Sequence, residues 1–235
     1  MVVTSISKRW RLNLVPPTEP RPKEGSILNK PAWEATSVFD DARTILTSSK
    51  SFDNVLDNRR TTRAFRPAGL PRIFDFIQRV FEPHHSGSGK LSGRKRKVAI
   101  SAGALHPIDV IVVSGTGVRE PILYCDQSQR FMTLPLVNQI EFAAAVGEAE
   151  NIVPSAIGHM LLFVGDLRRV SSAYEAPESL LWRDGGAALQ TCSMAAEAYE
   201  FACCPLGLTG QAILKAVITP HRDMIAIGLV VIGMR

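Results

Sequence analysis

The 235-residue chain has no long hydrophobic run, no cysteine framework and few aromatic side chains, and each shortage removes a class of function. Its longest apolar runs, Met224–Val231 and Met160–Val164, fall far short of the roughly 20 residues a helix needs to span a bilayer. Lys8, Arg9 and Arg11 are not followed by an apolar stretch, so the N-terminus does not read as a secretory signal. The four cysteines, Cys125, Cys192, Cys203 and Cys204, have neither metal-ligand nor disulfide spacing; no metal site is expected, and a reducing, cytoplasmic setting is. Aromatics make up 7% of the chain and show no stacking pattern, and no helix-turn-helix or zinc-finger spacing occurs, which argues against nucleic acid as a partner. Internal repeats, low-complexity tracts and a Gly-x-Gly-x-x-Gly fingerprint are also absent.

What is present is positive charge in two places. The net charge of +5 owes much to Arg59, Arg60, Arg63 and Arg66, and to Lys90 with Arg94–Lys97. Such clusters suit an anionic ligand better than a general basic coat would.

Residues 1–50 read as an N-terminal arm with a short helix, and residues 51–235 as one domain. The arm carries Pro16, Pro17, Pro20, Pro22 and Pro31, has little to bury by itself, and is expected to wrap a partner subunit. A short helix is expected at Phe39–Leu46. Leu70–Phe81 is a stronger one, with Pro71 in its first turn and Ile73, Phe76, Ile77 and Val80 at helical spacing. Ile108–Ser114 reads as a buried strand, and Ile122–Tyr124 and Arg130–Leu134 as a hairpin around Asp126–Gln129. Leu136–Glu150 has helical alternation, and Met160–Val164 is a further strand. Asp184–Phe201 is small or apolar on several faces, which predicts a central helix buried all round or shared with a second subunit. Strand Ala202–Leu208, helix Gly210–Val217 and strand Met224–Ile232 complete the chain. Alternating strands and helices with a hairpin in the middle predict an α+β sandwich.

Three stretches carry the chemistry. Asn58–Phe65 packs Arg59, Arg60 and Arg63 with Thr61 and Thr62 just ahead of a helix; guanidinium groups match phosphate geometry, although a solvated basic turn is also compatible. Ser101–Leu105 is small enough for its backbone to approach a planar ligand, although by itself it reads more readily as a plain turn ending in His106-Pro107. Cys203–Gly207 follows the long helix, and its adjacent thiols read as buried structural residues.

In order, the pieces RRTTRAF, SAGALHPIDVIVV, ILYCDQSQRFMTL, RDGGAALQTCSMAAEAYEF and CCPLG resemble the SagB-type dehydrogenase branch of the nitroreductase superfamily, over roughly residues 55–235. The resemblance implies a dimeric α/β sandwich with a central mixed or antiparallel sheet flanked by helices, and FMN as cofactor. By the same resemblance, Arg59, Arg60, Thr61 and Arg63 hold the FMN phosphate and ribityl chain, joined by the closing Arg235. Ser101, Ala102, Gly103, Ala104 and Leu105 line the flavin from the second subunit, and Pro205, Leu206 and Gly207 run beside its ring. The chain departs from the branch at Ala173, where a lysine precedes the tyrosine of azoline-oxidising members, at Ala187, where a histidine is usual, and at Ile100 in place of proline. Tyr174 is kept and is the candidate catalytic residue. The implied functions are oxidation of a modified peptide, such as azoline to azole; reduction of nitroaromatics or quinones with NAD(P)H as donor; or a non-catalytic, flavin-binding place in a modification complex.

Overall fold

The computed structural model describes residues 16–24, 33–39, 44–89, 92, 94–114, 120–153, 158–217 and 223–235. Its strands are β1 (Arg21–Pro22), β2 (Ser37–Phe39), β3 (His85–Ser86), β4 (Lys95–Arg96), β5 (Ile108–Ser114), β6 (Ile122–Cys125), β7 (Arg130–Thr133), β8 (His159–Asp166), β9 (Tyr174–Glu175), β10 (Phe201–Pro205) and β11 (Met224–Met234). The helices are α1 (Phe52–Asn58), α2 (Leu70–Phe81), α3 (Gln139–Ile152), α4 (Leu167–Ser171), α5 (Glu178–Ala198) and α6 (Gln211–Val217).

Seven strands form one sheet in the order β10-β11-β8-β5-β6-β7-β2, and every pairing in it is antiparallel. Strand β5 shows why the sequence builds a layered core. Val110 and Val112 pack into the layer under α2 and α5, while Ile111 and Val113 pack into the opposite layer with α3 and α6. A strand buried on both faces reads as a near-continuous apolar run, as β5, β8 and β11 do, β-branched in β5 and largely so in β11. The expected α+β sandwich is thus observed, with the sheet antiparallel.

Helix α2 has the predicted bounds, with Pro71 in its first turn. Three expectations differ from the structure. Helix α5 starts six residues before Asp184, after Pro177, and ends at Ala198, so Phe201 opens β10 instead of closing the helix. Nor is α5 buried all round. Leu181, Asp184, Gly185, Ala188, Cys192 and Ala196 face the sheet, whereas Trp182, Gly186 and Gln190 are exposed and Met194 and Ala198 half-buried. The helix expected at Phe39–Leu46 does not form in its described part, since Phe39 belongs to β2, which pairs with β7, and residues 44–46 are irregular; residues 40–43 lie outside the described residues.

The arm is tied to its own chain at one described stretch. Arg21 and Pro22 pair with Glu175 and Tyr174 of the same chain, and the Lys23 N–H donates to the Ala173 carbonyl at 2.8 Å. These residues satisfy part of their backbone hydrogen bonding within the chain. Residues 1–15 and 25–32 lie outside the described residues.

Two glycines matter for the site. A methyl group at Gly185 would stand 2.3 Å from Ile227 Cγ2, so the glycine allows α5 to lie close on β11. Gly103 has φ +58°, a left-handed conformation that glycine adopts at little cost.

Candidate functional site

The sheet fixes two polar regions at its opposite ends. At one end, the chain leaving α1 crosses the tips of β11 and β10. Arg59 caps α1 through its N–H to the Val55 carbonyl, the Thr62 N–H donates to the Cys203 carbonyl at 3.0 Å, and Arg66 exchanges two backbone hydrogen bonds with Met234. Arg63 lies close enough to Cys204 for its charge to oppose the burial that pushes that thiol up. Leu206 continues the β10 edge, its N–H donating to the Leu229 carbonyl at 2.8 Å. Two sequence-predicted pieces lie at this end, Arg59, Arg60, Thr61 and Arg63 and, through Met234, Arg235; the third, Pro205, Leu206 and Gly207, lies farther along, level with Val230 and Leu229.

The cations of this end differ in how they are satisfied. Arg235 donates from Nε to the Phe201 carbonyl at 3.2 Å and grips the Glu197 carboxylate with both terminal nitrogens. That carboxylate, 2% exposed, also accepts from Lys50 Nζ at 2.8 Å. Burial acts to raise Glu197, but the hydrogen bonds and charges of Arg235 and Lys50 outweigh it and hold the carboxyl below its usual range. Arg59, Arg60 and Arg63 pair with no carboxylate among the described residues. An exposed cluster of uncompensated guanidinium groups beside hydroxyls is a donor set suited to a phosphate dianion.

At the other end, Ser101–Leu105 precedes β5 as a 3-10 turn over Ala102–Ala104. Helix α5 anchors it. Ser101 Oγ donates to Asp184 Oδ2 at 2.5 Å, and the Ala102 N–H donates to Asp184 Oδ1 at 3.3 Å. Ser101 Oγ in turn accepts the His106 N–H at 2.8 Å. Burial of Asp184 raises its carboxyl above the ordinary value despite those donors. Arg94 donates to the Gly103 carbonyl. A methyl group at Gly103 would lie 2.6 Å from an Arg94 guanidinium nitrogen and 3.1 Å from Tyr174 Oη, so phenol and guanidinium converge on the tip of the turn. His106 is held neutral, lowered to about 4 by burial and then by Lys97.

One chain does not bring these two ends together. Ile108 opposes Gly165, which opposes Ile225, whereas Arg66 pairs with Met234. Nine residues of strand separate Ile225 from Met234, roughly 30 Å at about 3.3 Å per residue. The arginine cluster lies a little nearer, since Thr62 bonds Cys203 and Cys203 opposes Ile232.

The cysteines are structural here. Cys192, Cys203 and Cys204 are buried, and Cys192 is pushed well above its usual value by its hydrogen-bond contact with Cys203 and by burial. Among the described residues, no helix is long and apolar enough to cross a membrane and no cluster of potential metal ligands occurs. Sequence reasoning missed Lys50 and Glu197, took Arg94 only as part of a basic cluster, and treated Asp184 only as a helix opening. The partners of Lys50 and Asp184 lie far away in sequence, and no local spacing marks them.

No family model and no curated protein matches the sequence. Solved structures match the fold. A protein of Ralstonia eutropha described as a nitroreductase aligns at 16% identity and TM-score 0.62, over 92% of this chain and 98% of its own. A chain of the E. coli microcin synthetase McbBCD complex, solved with truncated pro-MccB17 bound, aligns at 13% identity and TM-score 0.54, over 91% and 79%. A Desulfovibrio desulfuricans protein described as a nitroreductase in complex with FMN aligns at 18% and TM-score 0.52, over 79% and 87%. The chain therefore has the nitroreductase fold.

Proposed function

We propose that the protein is an FMN-dependent oxidoreductase working as a homodimer, each flavin lying between the Arg59–Arg63 cluster of one chain and the Ser101–Leu105 turn of the other. The observation that carries this reading is the separation of the two regions along the sheet, together with the arginines that pair with no carboxylate at one of them. The exposed face of α5 and the open groove of about 430 Å³ beside it, walled by Phe52, Val55, Val98 and Met194, supply apolar surface for the second copy. A solved protein of the same fold holds FMN, which supports the choice of flavin.

In this reading the residues divide the work. Arg59, Arg60, Arg63 and Arg235 bind the phosphate, and Thr61 binds the ribityl hydroxyls. Pro205–Gly207, on the exposed edge of β10, lie along one side of the ring. Bound FMN would supply hydride acceptance and donation. The turn brings Tyr174 Oη and the Arg94 guanidinium with it from the second chain. There the phenol can hand over or receive a proton at Oη, and the guanidinium can hold a substrate oxygen.

Between substrates, dehydrogenation of a modified peptide draws support from the microcin synthetase likeness and from the retained Tyr174. Reduction of a nitroaromatic or quinone with NAD(P)H draws support from Ala173, which leaves no lysine beside that tyrosine. The likeness to one chain of a multi-subunit synthetase also makes a modification-complex subunit a reading to test. Mixing two inactive variants tests the shared site. A chain carrying R59M and R63M, combined with one carrying Asp184→Ala, regains flavin in mixed dimers, since one of the two sites is then intact. Failure to regain it, with mixed dimers demonstrated, rejects the composite site.

A further inference from the structure

Glu197 carries a charge where a helix of this kind would ordinarily bury apolar surface. It lies on the last turn of α5, its side chain is 2% exposed, and its two ion partners come from opposite ends of the chain, Lys50 and Arg235. A buried carboxylate is costly to desolvate, and replacing such a pair with apolar residues is often neutral or stabilising, so stability is a poor reason for it to be there. What the arrangement fixes is the direction of a guanidinium. Of the five N–H groups of Arg235, one from Nε goes to the Phe201 carbonyl and one from each terminal nitrogen to Glu197. Two remain. The side chain is 33% exposed, and its backbone follows Met234, which is paired to Arg66 at the end of the arginine cluster. Lys50 meanwhile ties Glu197 twice, to the carboxylate and to the main-chain carbonyl, both at 2.8 Å, so the carboxylate itself is held still.

We propose that Glu197, fixed by Lys50, is the positioning residue of the phosphate site: it orients Arg235 so that its two free N–H groups face the anion bound by Arg59, Arg60 and Arg63. This inference rests on the FMN reading above. It deepens that reading by making recognition of the phosphate, as distinct from the ring, depend on a residue that touches no ligand. The chain would then select FMN over riboflavin through Glu197 as well as through the arginines.

The test compares FMN with riboflavin, which has the same ring and no phosphate. Dissociation constants for both are measured by fluorescence quenching on wild type, E197Q, Arg235→Met and the double variant. Loss of one well-directed, charge-assisted hydrogen bond corresponds to about tenfold in affinity. The expected result is that E197Q weakens FMN by about tenfold and leaves riboflavin unchanged, and that adding it to Arg235→Met weakens FMN no further. Equal weakening of both flavins by E197Q would reduce Glu197 to support of the fold and overturn the proposal. So would an effect of Arg235→Met with none from E197Q, or independent, additive effects of the two. Should E197Q fail to fold, Glu197→Asp keeps the charge at shorter reach and is expected to show a smaller loss, still confined to FMN; loss on both flavins rejects the role. If wild type binds neither flavin, the FMN reading falls and this inference with it. If wild type prefers FMN and Arg235→Met changes nothing, the FMN reading stands and only the inference falls.

Discussion

Replacing Asp184 by alanine should loosen the Ser101–Leu105 turn by an amount the structure allows to be worked out. The carboxylate accepts from Ser101 Oγ at 2.5 Å and from the Ala102 N–H at 3.3 Å, and Asp184 is 7% exposed. A hydrogen bond to a charged acceptor contributes about 1.5–3 kcal/mol, and the longer backbone bond adds less. Alanine also relieves the burial of the carboxyl, which offsets part of the loss. The net expectation is a destabilisation of about 2–3 kcal/mol, a fall in Tm of about 4–12 °C for a chain of this size. Thermal denaturation followed by circular dichroism measures it. Asp184→Asn keeps one acceptor and should lose about half as much. The raised carboxyl also gives a pH signature. A carboxyl raised in the folded state contributes fully below its unfolded value and loses that contribution as pH rises through its folded value. The stability gap between wild type and Asp184→Asn should therefore narrow as pH rises above the ordinary carboxyl range. A Tm for Asp184→Ala within about 1 °C of wild type would refute the claim that this residue anchors the turn.

Other expectations follow from single contacts. The R59M and R63M double variant should weaken FMN about a hundredfold or more while leaving Tm near the wild-type value, because neither side chain is buried; retention of flavin through purification would reject the phosphate assignment. Gly185→Ala places a methyl 2.3 Å from Ile227, so α5 must shift, at about 1–3 kcal/mol by chemical denaturation; an unchanged midpoint would show that α5 does not lie so close on β11. His106, lowered from 6.5 to about 4, contributes stability above its unfolded value that is lost as pH falls toward 4, so His106→Gln should flatten the Tm–pH curve over that window. On a sizing column the protein should elute as a dimer; a monomer that still binds FMN tightly would contradict the shared site.

How much of this was legible in the sequence depended on how local the signal was. Leu70–Phe81 announced itself through Pro71 and helical spacing, and Ile108–Ser114 through an unbroken β-branched run, because both are written in consecutive residues. Helix α5 was readable in its middle but not at its start. Pro177 with Glu178 behind it is the start signal that the small-residue run at Asp184 obscured. Helix α1 carried a cap in Ser51, which accepts the Asn54 N–H at 3.2 Å, but its seven residues are too few for periodicity to show. Residues 37–39 became a strand because β7 offers an edge, a tertiary fact absent from the local pattern. The same reasoning separates the site residues. The arginine cluster and the Ser101 turn were visible as motifs, whereas the pairing of Glu197 with Lys50 spans 147 positions and that of Asp184 with Ser101 spans 83. Only the fold brings such partners together. It also places the two motifs at different levels of one sheet, a separation on which the proposed shared site rests.

The most direct test of the FMN reading is the visible absorption spectrum of the purified protein, followed by denaturation and quantification of what is released. The account predicts flavin absorbance and release of FMN equimolar with chains. A colourless protein that stays colourless after incubation with excess FMN would contradict it.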